Sequence, residues 1–489
     1  MGGGFMFKKI LIANRGEIAL RIIHACKEMG IDSVMTYTDA DKESLPCRKA
    51  SETYNLGAPR EYLNIEKIVF AAKKTGAEAI HPGYGFLAEN PAFARACLDA
   101  GLVFIGPSPE VMKLMGDKVQ AKETAQKAGV PVVPGSSGAV ATIAEAEAIA
   151  AQMGYPLLIK ASAGGGGRGM RLAQNVTDLS RAFMSACTEA QSCFGDSSVY
   201  LEKYITEPRH VEIQLLADNF GNVVFLGERD CSLQRRHQKI LEEAPCPVLS
   251  VTTAQKMGDV AVRLAKQVGY RGVGTVEFLL DADEKFYFME MNTRIQVEHP
   301  VTEMVTGVDI VKEQIRIAAG LPLSFQQHDI KIRGAAIECR INAEDPAQNF
   351  LPNPGTIRQY VPPAGFGVRV ESAVFPGYTI PNLYDSMIAK LISWGRDRQE
   401  AVARMQRALN DFVIEGVKTT IPFHQMILQH QDFQSGRVTT NFLAKNQTDL
   451  SKGFSVSTNL PHQKIVRKYH LTVNDVVYEL TIAGRIAGE

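Results

Sequence analysis

The first 115 residues alternate strand-like and helix-like runs, and that order constrains the fold more than any other feature of the chain. "FKKILIA", starting at Phe7, reads as a short buried strand. "EIALRIIHACKEMG" follows with apolar residues at helical spacing and Gly30 at the C′ position. "DSVMTYT" is the next strand. Strand, helix, strand in this order implies parallel pairing through a right-handed crossover. The pattern continues through "AEAI", the loop "HPGYGFLAEN", the helix "PAFARACLDAG" and the strand "VFIG". Residues 7–117 are therefore expected to form a doubly wound parallel α/β unit. Its first connecting loop, "NRGE", is not GxGxxG, so the dinucleotide fingerprint is missing.

Beyond residue 117 the pattern changes to mixed α+β. "MGDKVQAKETAQKAGV" reads as a helical linker. Residues 132–205 are expected to form a small α+β lid, with "YPLLIKASAGGGGRGMRLA" as strand, glycine loop and strand, and "SVYLEKYI" as a further strand. "HVEIQLLADNFGNVVFLGERD" reads as a hairpin whose turn carries Asn and Gly. A larger mixed unit continues to residue 446, and residues 447–489 read as a linker plus a hairpin around Asn474 and Asp475.

With 489 residues the chain is long enough for two to four domains. Lys plus Arg and Asp plus Glu each total 53, which argues against a general nucleic-acid or anionic-membrane surface but allows a local basic pocket. The eight cysteines form no CxxC pair and read as reduced intracellular thiols. No apolar run is long enough for a membrane span. The N-terminus lacks a signal-peptide core, and residues 1–6 read as a disordered extension.

"IKASAGGGGRGM" is neither a P-loop nor a dinucleotide loop, because a strand rather than a helix follows it. Glycines in a strand-to-strand connection let backbone N–H groups approach an anion closely. Lys160 ends the preceding apolar strand, where its charge needs a partner, and Arg168 lies within the loop. Phosphate binding is the reading with chemical content; a flexible solvent loop is the plain one.

"GTVEFLL" and "KFYFMEM" each place a glutamate, Glu277 and Glu290, inside an apolar strand, with "DADE" as the turn between them. If Leu280 faces Lys285, Glu277 faces Phe288 and the two glutamates are diagonal neighbours on one face, roughly 5–8 Å apart. Two desolvated carboxylates this close call for a proton or a bridging cation, and Mg²⁺ fits. Asn292 adds a neutral oxygen on the same face. The alternative is a polar strand face in water, weakened because "FYFM" is apolar on both parities and reads as buried on both faces. Arg294 can hold a planar oxyanion bidentately, and Glu298 is placed to accept a proton. "ERDCSLQRRHQKILEEAP" carries Arg229, Arg235, Arg236, His237 and Lys239 among acids, as either a solvated loop or an anion pocket.

Taken together, "IANRGEIALRI", "HPGYGFLAENP", "MGDK", "IKASAGGGGRGM", "EKYI", "PRHVEIQ", "ERDCSLQRRHQK", "GTVEF", "EMNTRIQVEHPVTEM" and "ECRINAEDP" resemble biotin carboxylase, in order, from about Phe7 to Leu443. The resemblance implies an ATP-grasp fold: an N-terminal doubly wound domain (7–117), an ATP-grasp domain (118–335) with its mobile lid, and a C-terminal domain (336–446). It implies ATP- and Mg²⁺- or Mn²⁺-dependent carboxylation of biotin by bicarbonate through carboxyphosphate. Lys118, Lys160, Gly166 and Gly167 would hold phosphates. Glu202, Lys203, Tyr204 and Ile205 would line the adenine pocket, with His210 and His237 near the nucleotide. Glu277, Glu290 and Asn292 would carry metal. Lys239, Arg294, Gln296 and Val297 would hold bicarbonate, Glu298 would be its base, and Arg340 would stabilise the biotin enolate.

No Met-Lys-Met occurs, so biotin is expected on a separate carrier protein or domain. The resemblance further implies a cytoplasmic homodimer working with a biotin carboxyl carrier protein and a carboxyltransferase. The holoenzyme would be acetyl-CoA carboxylase of fatty acid biosynthesis, or pyruvate carboxylase (as its biotin-carboxylating component), or a propionyl- or other acyl-CoA carboxylase. A regulatory nucleotide-binding protein would break the base or metal set, yet Glu277, Glu290, Arg294, Glu298 and Arg340 are all present. A different ATP-grasp ligase gives no reason for "ECRINAEDP".

Overall fold

Ile10, Leu11 and Ile12 are fully buried because the strand Lys9–Ile12 lies in the middle of a five-stranded parallel sheet. The computed structural model describes residues 6–161, 170–446, 464–473 and 476–485. The sheet runs Glu52–Gly57, Asp32–Thr38, Lys9–Ile12, Ala79–His81, Val103–Phe104, as the doubly wound reading expects. Helix Gly16–Glu28 covers one face by burying Ile18, Ala19, Ile22, Ile23 and Cys26 at helical spacing. Gly30, at φ 70°, turns the chain out of it. Strand Glu52–Gly57 goes beyond the sequence expectation. Residues 1–5 of the expected extension lie outside the described residues, and Met6 is half-buried against the core rather than part of an extension.

The linker is two helices, Pro109–Gly116 and Lys118–Lys127, because Asp117 leaves the helical conformation and caps the second by accepting from the Val119 and Gln120 amides. Next comes a small antiparallel sheet of Met170–Ala173, Leu157–Ala161 and Val199–Lys203. Helices Ile143–Met153 and Val176–Phe194 flank it, with Leu157, Ile159, Val199 and Leu201 at its core. The long second helix is a further addition to the sequence reading. The phosphate-loop residues Gly166, Gly167 and Arg168 lie outside the described residues.

An eight-stranded sheet then carries the chain's polar interior. Its order is Phe286–Asn292, Gly272–Leu280, Arg209–Ala217, Val223–Arg235, Gln238–Ala244, Ala335–Asn342, Met387–Gly395, Val368–Ser372, all antiparallel. The expected boundary at 335/336 falls inside this sheet, where Gln238–Ala244 pairs with Ala335–Asn342. Helix His299–Thr306 packs on one face, with Val301 and Val305 against Ala244, Ala336 and Ile392.

Three local expectations are corrected. The basic segment is a hairpin rather than a loop: Arg236 and His237 form a two-residue turn, both at positive φ. The strand Phe286–Asn292 lies at the sheet edge rather than buried on both faces, so Met289 is 40% exposed. Its register also differs, with Leu280 opposite Phe286 and a bulge that leaves Met289 unpaired, so that Glu277 stands opposite Glu290 instead of Phe288. The tail forms the expected hairpin, Lys464–Val473 with Val476–Arg485; its turn residues Asn474 and Asp475 are outside the described set. Among the described residues no helix is long and apolar enough to cross a membrane.

Candidate active site

Successive strands of the eight-stranded sheet bring Glu212, Glu277 and Lys239 to one face, and the segment after Asn292 lays Arg294, Gln296 and Glu298 over it. Lys239 is the hub. Its Nζ donates to Glu212 Oε2 at 2.6 Å, Glu277 Oε1 at 2.8 Å and Glu298 Oε1 at 2.6 Å. Burial disfavours this ammonium, but the three carboxylates outweigh that and raise its pKa well above the usual lysine value.

The two strand glutamates titrate in opposite directions. Burial opposes ionisation of Glu277, yet Lys239 and His210 hold its carboxyl well below the ordinary range. His210 Nε2 lies 3.0 Å from Glu277 Oε2, and Asn292 Nδ2 donates to Oε1 at 2.8 Å. Glu290 is raised, by burial first and then by the Glu277 charge, against opposing Lys118, His210 and Lys239. A directly opposed carboxylate pair with one member pushed toward protonation fits a hard divalent cation, which removes that repulsion and takes the Asn292 oxygen alongside. Lys118 is exposed at the start of its helix.

Glu298 is fully buried between cations. Burial would raise its carboxyl, but Lys239, Arg340 and Arg229 hold it well below the usual range. Arg340 Nη2 donates to its Oε2 at 2.9 Å, while Arg340 Nε donates to Glu242 Oε1 at 2.7 Å. Arg294 Nε donates to Glu89 Oε2 at 2.8 Å, and its Nη1 to Gln296 Oε1 at 3.1 Å. The Val297 carbonyl accepts from buried Lys390 at 2.9 Å. Lys239, Glu298 and Arg340 are bonded directly, Arg294 and Gln296 join them through Asn292 and Glu277, and Val297 adjoins Glu298 along the chain, an arrangement capable of seating a small planar anion beside a buried base.

The nucleotide residues lie along the small sheet. Glu202 is buried and bonded by Lys160 and by Lys122, the latter at 2.7 Å. Lys160 pairs with Glu202 and is only partly buried. Lys203 Nζ donates to the Tyr155 carbonyl at 2.9 Å, and the Tyr204 amide to that of Pro156 at 3.1 Å. Ile205 is half-buried, while His237 is exposed in the hairpin turn.

Several cluster members escape the sequence reading: Glu212, Glu242, Glu338, Lys122 and Glu89. Glu212 is buried and paired to fully buried Arg229, which also donates to Gln214 and Thr302 at 2.7 and 2.9 Å. Its signal was available, because "HVEIQ" sets a glutamate in an apolar strand as "GTVEF" does. Lys122 and Glu89 act across 80 and 205 residues of sequence and leave no local signal.

Comparison with known proteins follows the same outline. Three family models match: Biotin carboxylase, N-terminal domain, over residues 6–112; Carbamoyl-phosphate synthase L chain, ATP binding domain, over 117–326; and Biotin carboxylase C-terminal domain, over 338–445. Biotin carboxylase 1 of Bacillus subtilis is 56% identical over 90% of this chain and 98% of its own length. The crystal structure of the biotin carboxylase domain dimer of Hydrogenobacter thermophilus 2-oxoglutarate carboxylase, with MgADP, ADP and bicarbonate, superimposes with a TM-score of 0.85. It is 52% identical and covers 91% of this chain and 99% of its own. A crystal structure of the biotin carboxylase component of pyruvate carboxylase superimposes with a TM-score of 0.83, at 51% identity over 91% of this chain and 99% of its own.

Proposed function

The chain belongs to the biotin carboxylase family, and from that premise we propose how its own residues carboxylate biotin with bicarbonate and ATP. The observation that carries the reading is Glu298, a fully buried carboxylate held between Lys239 and Arg340 beside the opposed Glu277–Glu290 pair.

Glu277, Glu290 and Asn292 hold Mg²⁺ or Mn²⁺, which neutralises phosphate charge when bound. Lys118, Lys160 and the loop at Gly166 and Gly167 hold the phosphates. Glu202, Lys203, Tyr204 and Ile205 line the adenine pocket, with His210 and His237 beside the nucleotide. Lys239, Arg294, Gln296 and Val297 seat bicarbonate. Glu298 takes its proton, and a bicarbonate oxygen then attacks the γ-phosphorus, breaking its bond to the ADP oxygen and giving carboxyphosphate and ADP. Ion pairing makes Glu298 ionised but weakly basic; an anion that draws Lys239 away raises its basicity where it is needed. Carboxyphosphate releases CO₂ and phosphate, phosphate takes the biotin N1′ proton, Arg340 offsets the charge that forms on the ureido oxygen, and N1′ attacks the CO₂ carbon to give carboxybiotin. Closure of residues 132–205 as a lid keeps water from carboxyphosphate.

Biotin arrives on a carrier protein or domain, and a carboxyltransferase passes the carboxyl to acetyl-CoA, or to pyruvate or another acyl-CoA. The Hydrogenobacter relative is a dimer, and we propose the same state here. Eight free cysteines accord with a cytoplasmic setting. The test is ATP hydrolysis with and without bicarbonate and free biotin. Turnover that needs bicarbonate and rises with biotin supports the reading; turnover indifferent to both overturns it.

A further inference from the structure

The eight-stranded sheet contains a second pair of directly opposed glutamates. Glu242 on strand Gln238–Ala244 stands opposite Glu338 on strand Ala335–Asn342, at the position where cross-strand Cβ atoms are about 4.5–5.5 Å apart. Both are fully buried. Glu290 of the Glu277–Glu290 pair is partly exposed, whereas this pair lies beneath helix His299–Thr306 with both members buried.

Its hydrogen bonding is incomplete in one specific way. Glu242 Oε1 accepts from Arg340, but among the described residues Glu242 Oε2 and both oxygens of Glu338 have no partner. Buried polar atoms are rarely left so. Two ionised carboxylates are acceptors only and cannot bond each other; a single proton between them pairs Glu242 Oε2 with one of the two Glu338 oxygens.

The surrounding charges say which carboxyl takes that proton. From its own strand Arg340 faces the pair, but is bonded to Glu242 and Glu298. Lys239 faces it from Gln238–Ala244 and is held by Glu212, Glu277 and Glu298. Lys390 faces it from Met387–Gly395 and is held by the Val297 carbonyl and Glu17. From the helix side Glu298 adds negative charge, while His299 bonds the Gln296 carbonyl and Glu303 pairs with Arg21 and Arg369. Glu242 thus keeps a bonded cation, and among the described residues Glu338 has none.

We propose that Glu338 is a neutral carboxylic acid whose O–H donates to Glu242 Oε2, and that the pair, carrying one negative charge, positions Arg340 for biotin. Burial raises Glu338 well above the ordinary carboxylate range, and Glu242 to about 7, which agrees in direction. Glu242 and Glu338 are positioning residues: they act on the reaction through the guanidinium. A second negative charge would draw Arg340 into the sheet and away from Glu298 and the substrate. The kinetic part rests on the function proposed above; the protonation state does not.

Two measurements test it on the full chain. Infrared difference spectra of the resting enzyme at neutral pH are expected to contain a neutral-carboxyl C=O band that Glu338→Gln removes. That readout needs no activity. Glu338→Ala is expected to lower biotin-dependent kcat by about 10- to 100-fold, the range of one hydrogen bond to a charged group. Glu338→Gln, shaped like the acid and able to donate, restores it, and abolishes the high-pH loss of kcat that the wild type shows as Glu338 ionises. A spectrum in which Glu338→Gln removes no such band overturns the proposal, as do Ala and Gln variants equally impaired with unchanged pH profiles. If Glu338→Ala melts too low to assay, the band and the Gln pH profile decide. Band loss in a chain inactive on biotin would uphold the shared proton and fault only the proposed function.

Discussion

Glu277 and Glu290 stand directly opposite each other across neighbouring strands, and the bulge at Met289 puts them there. Without it, a regular ladder from Leu280 and Phe286 would set Glu277 against Met289. The bulge therefore aims two carboxylates at one point, which only a proton or a cation makes comfortable.

Glu290→Gln removes the repulsion together with one oxygen of the proposed metal site. Expected is a melting temperature without metal equal to or above the wild type's. The extra stabilisation by Mn²⁺ plus nucleotide should vanish, with metal affinity falling by at least about 100-fold, the upper end of what even an outer-shell change costs. Thermal melts with and without Mn²⁺–ATP check it.

Lys239→Gln strips Glu212, Glu277 and Glu298 of one shared ammonium. Breaking a buried ion network by removing one partner costs about 3–5 kcal/mol. Urea unfolding is expected to show a loss of that order, larger than for exposed Lys285→Gln, whose pairing with Asp283 is a surface one.

The Glu242–Glu338 pair should contribute stability that falls between pH 5 and pH 8. Glu242 is raised from 4.5 to about 7, and Glu338 is raised too, so in that window the folded state binds protons that the unfolded chain has lost. More protons on the folded side means stability decreases as pH rises, by about 1–3 kcal/mol. The lowered acids, Glu277 and Glu298, give up their contribution only below pH 4.5, whereas His81, His299 and His424, lowered by burial, have the opposite slope below about pH 6.5. Urea unfolding of wild type and Glu338→Gln side by side isolates the pair: the wild type's stability relative to the variant should decrease as pH rises through the window.

Much of this site is legible because apolar strands interrupted by single charged residues advertise which face is polar. Parity within one strand grouped Glu290 with Asn292, but bringing Glu277 to them took an assumed register that the bulge replaces. Register was not legible, since a bulge leaves the alternation on each side intact and changes only which residues meet. The same parity signal marks Glu212, Glu242 and Glu338, but each sits in a strand whose neighbours are fixed by topology rather than by sequence proximity. The parallel N-terminal sheet was readable from its strand–helix–strand order. Its edge strand Glu52–Gly57 was not, because "ETYNLG" is mostly exposed and carries little apolar periodicity.

The proposed chemistry depends most on Glu298 as the base that takes the bicarbonate proton. Transfer of labelled carbon from bicarbonate to free biotin, measured for wild type and Glu298→Gln beside Mg–ATP binding, tests it directly. Expected is label in biotin with the wild type, at least about 100-fold less with the variant, and equal nucleotide affinity. Label transfer undiminished in the variant, or ATP affinity lost with it, would contradict the role assigned to Glu298.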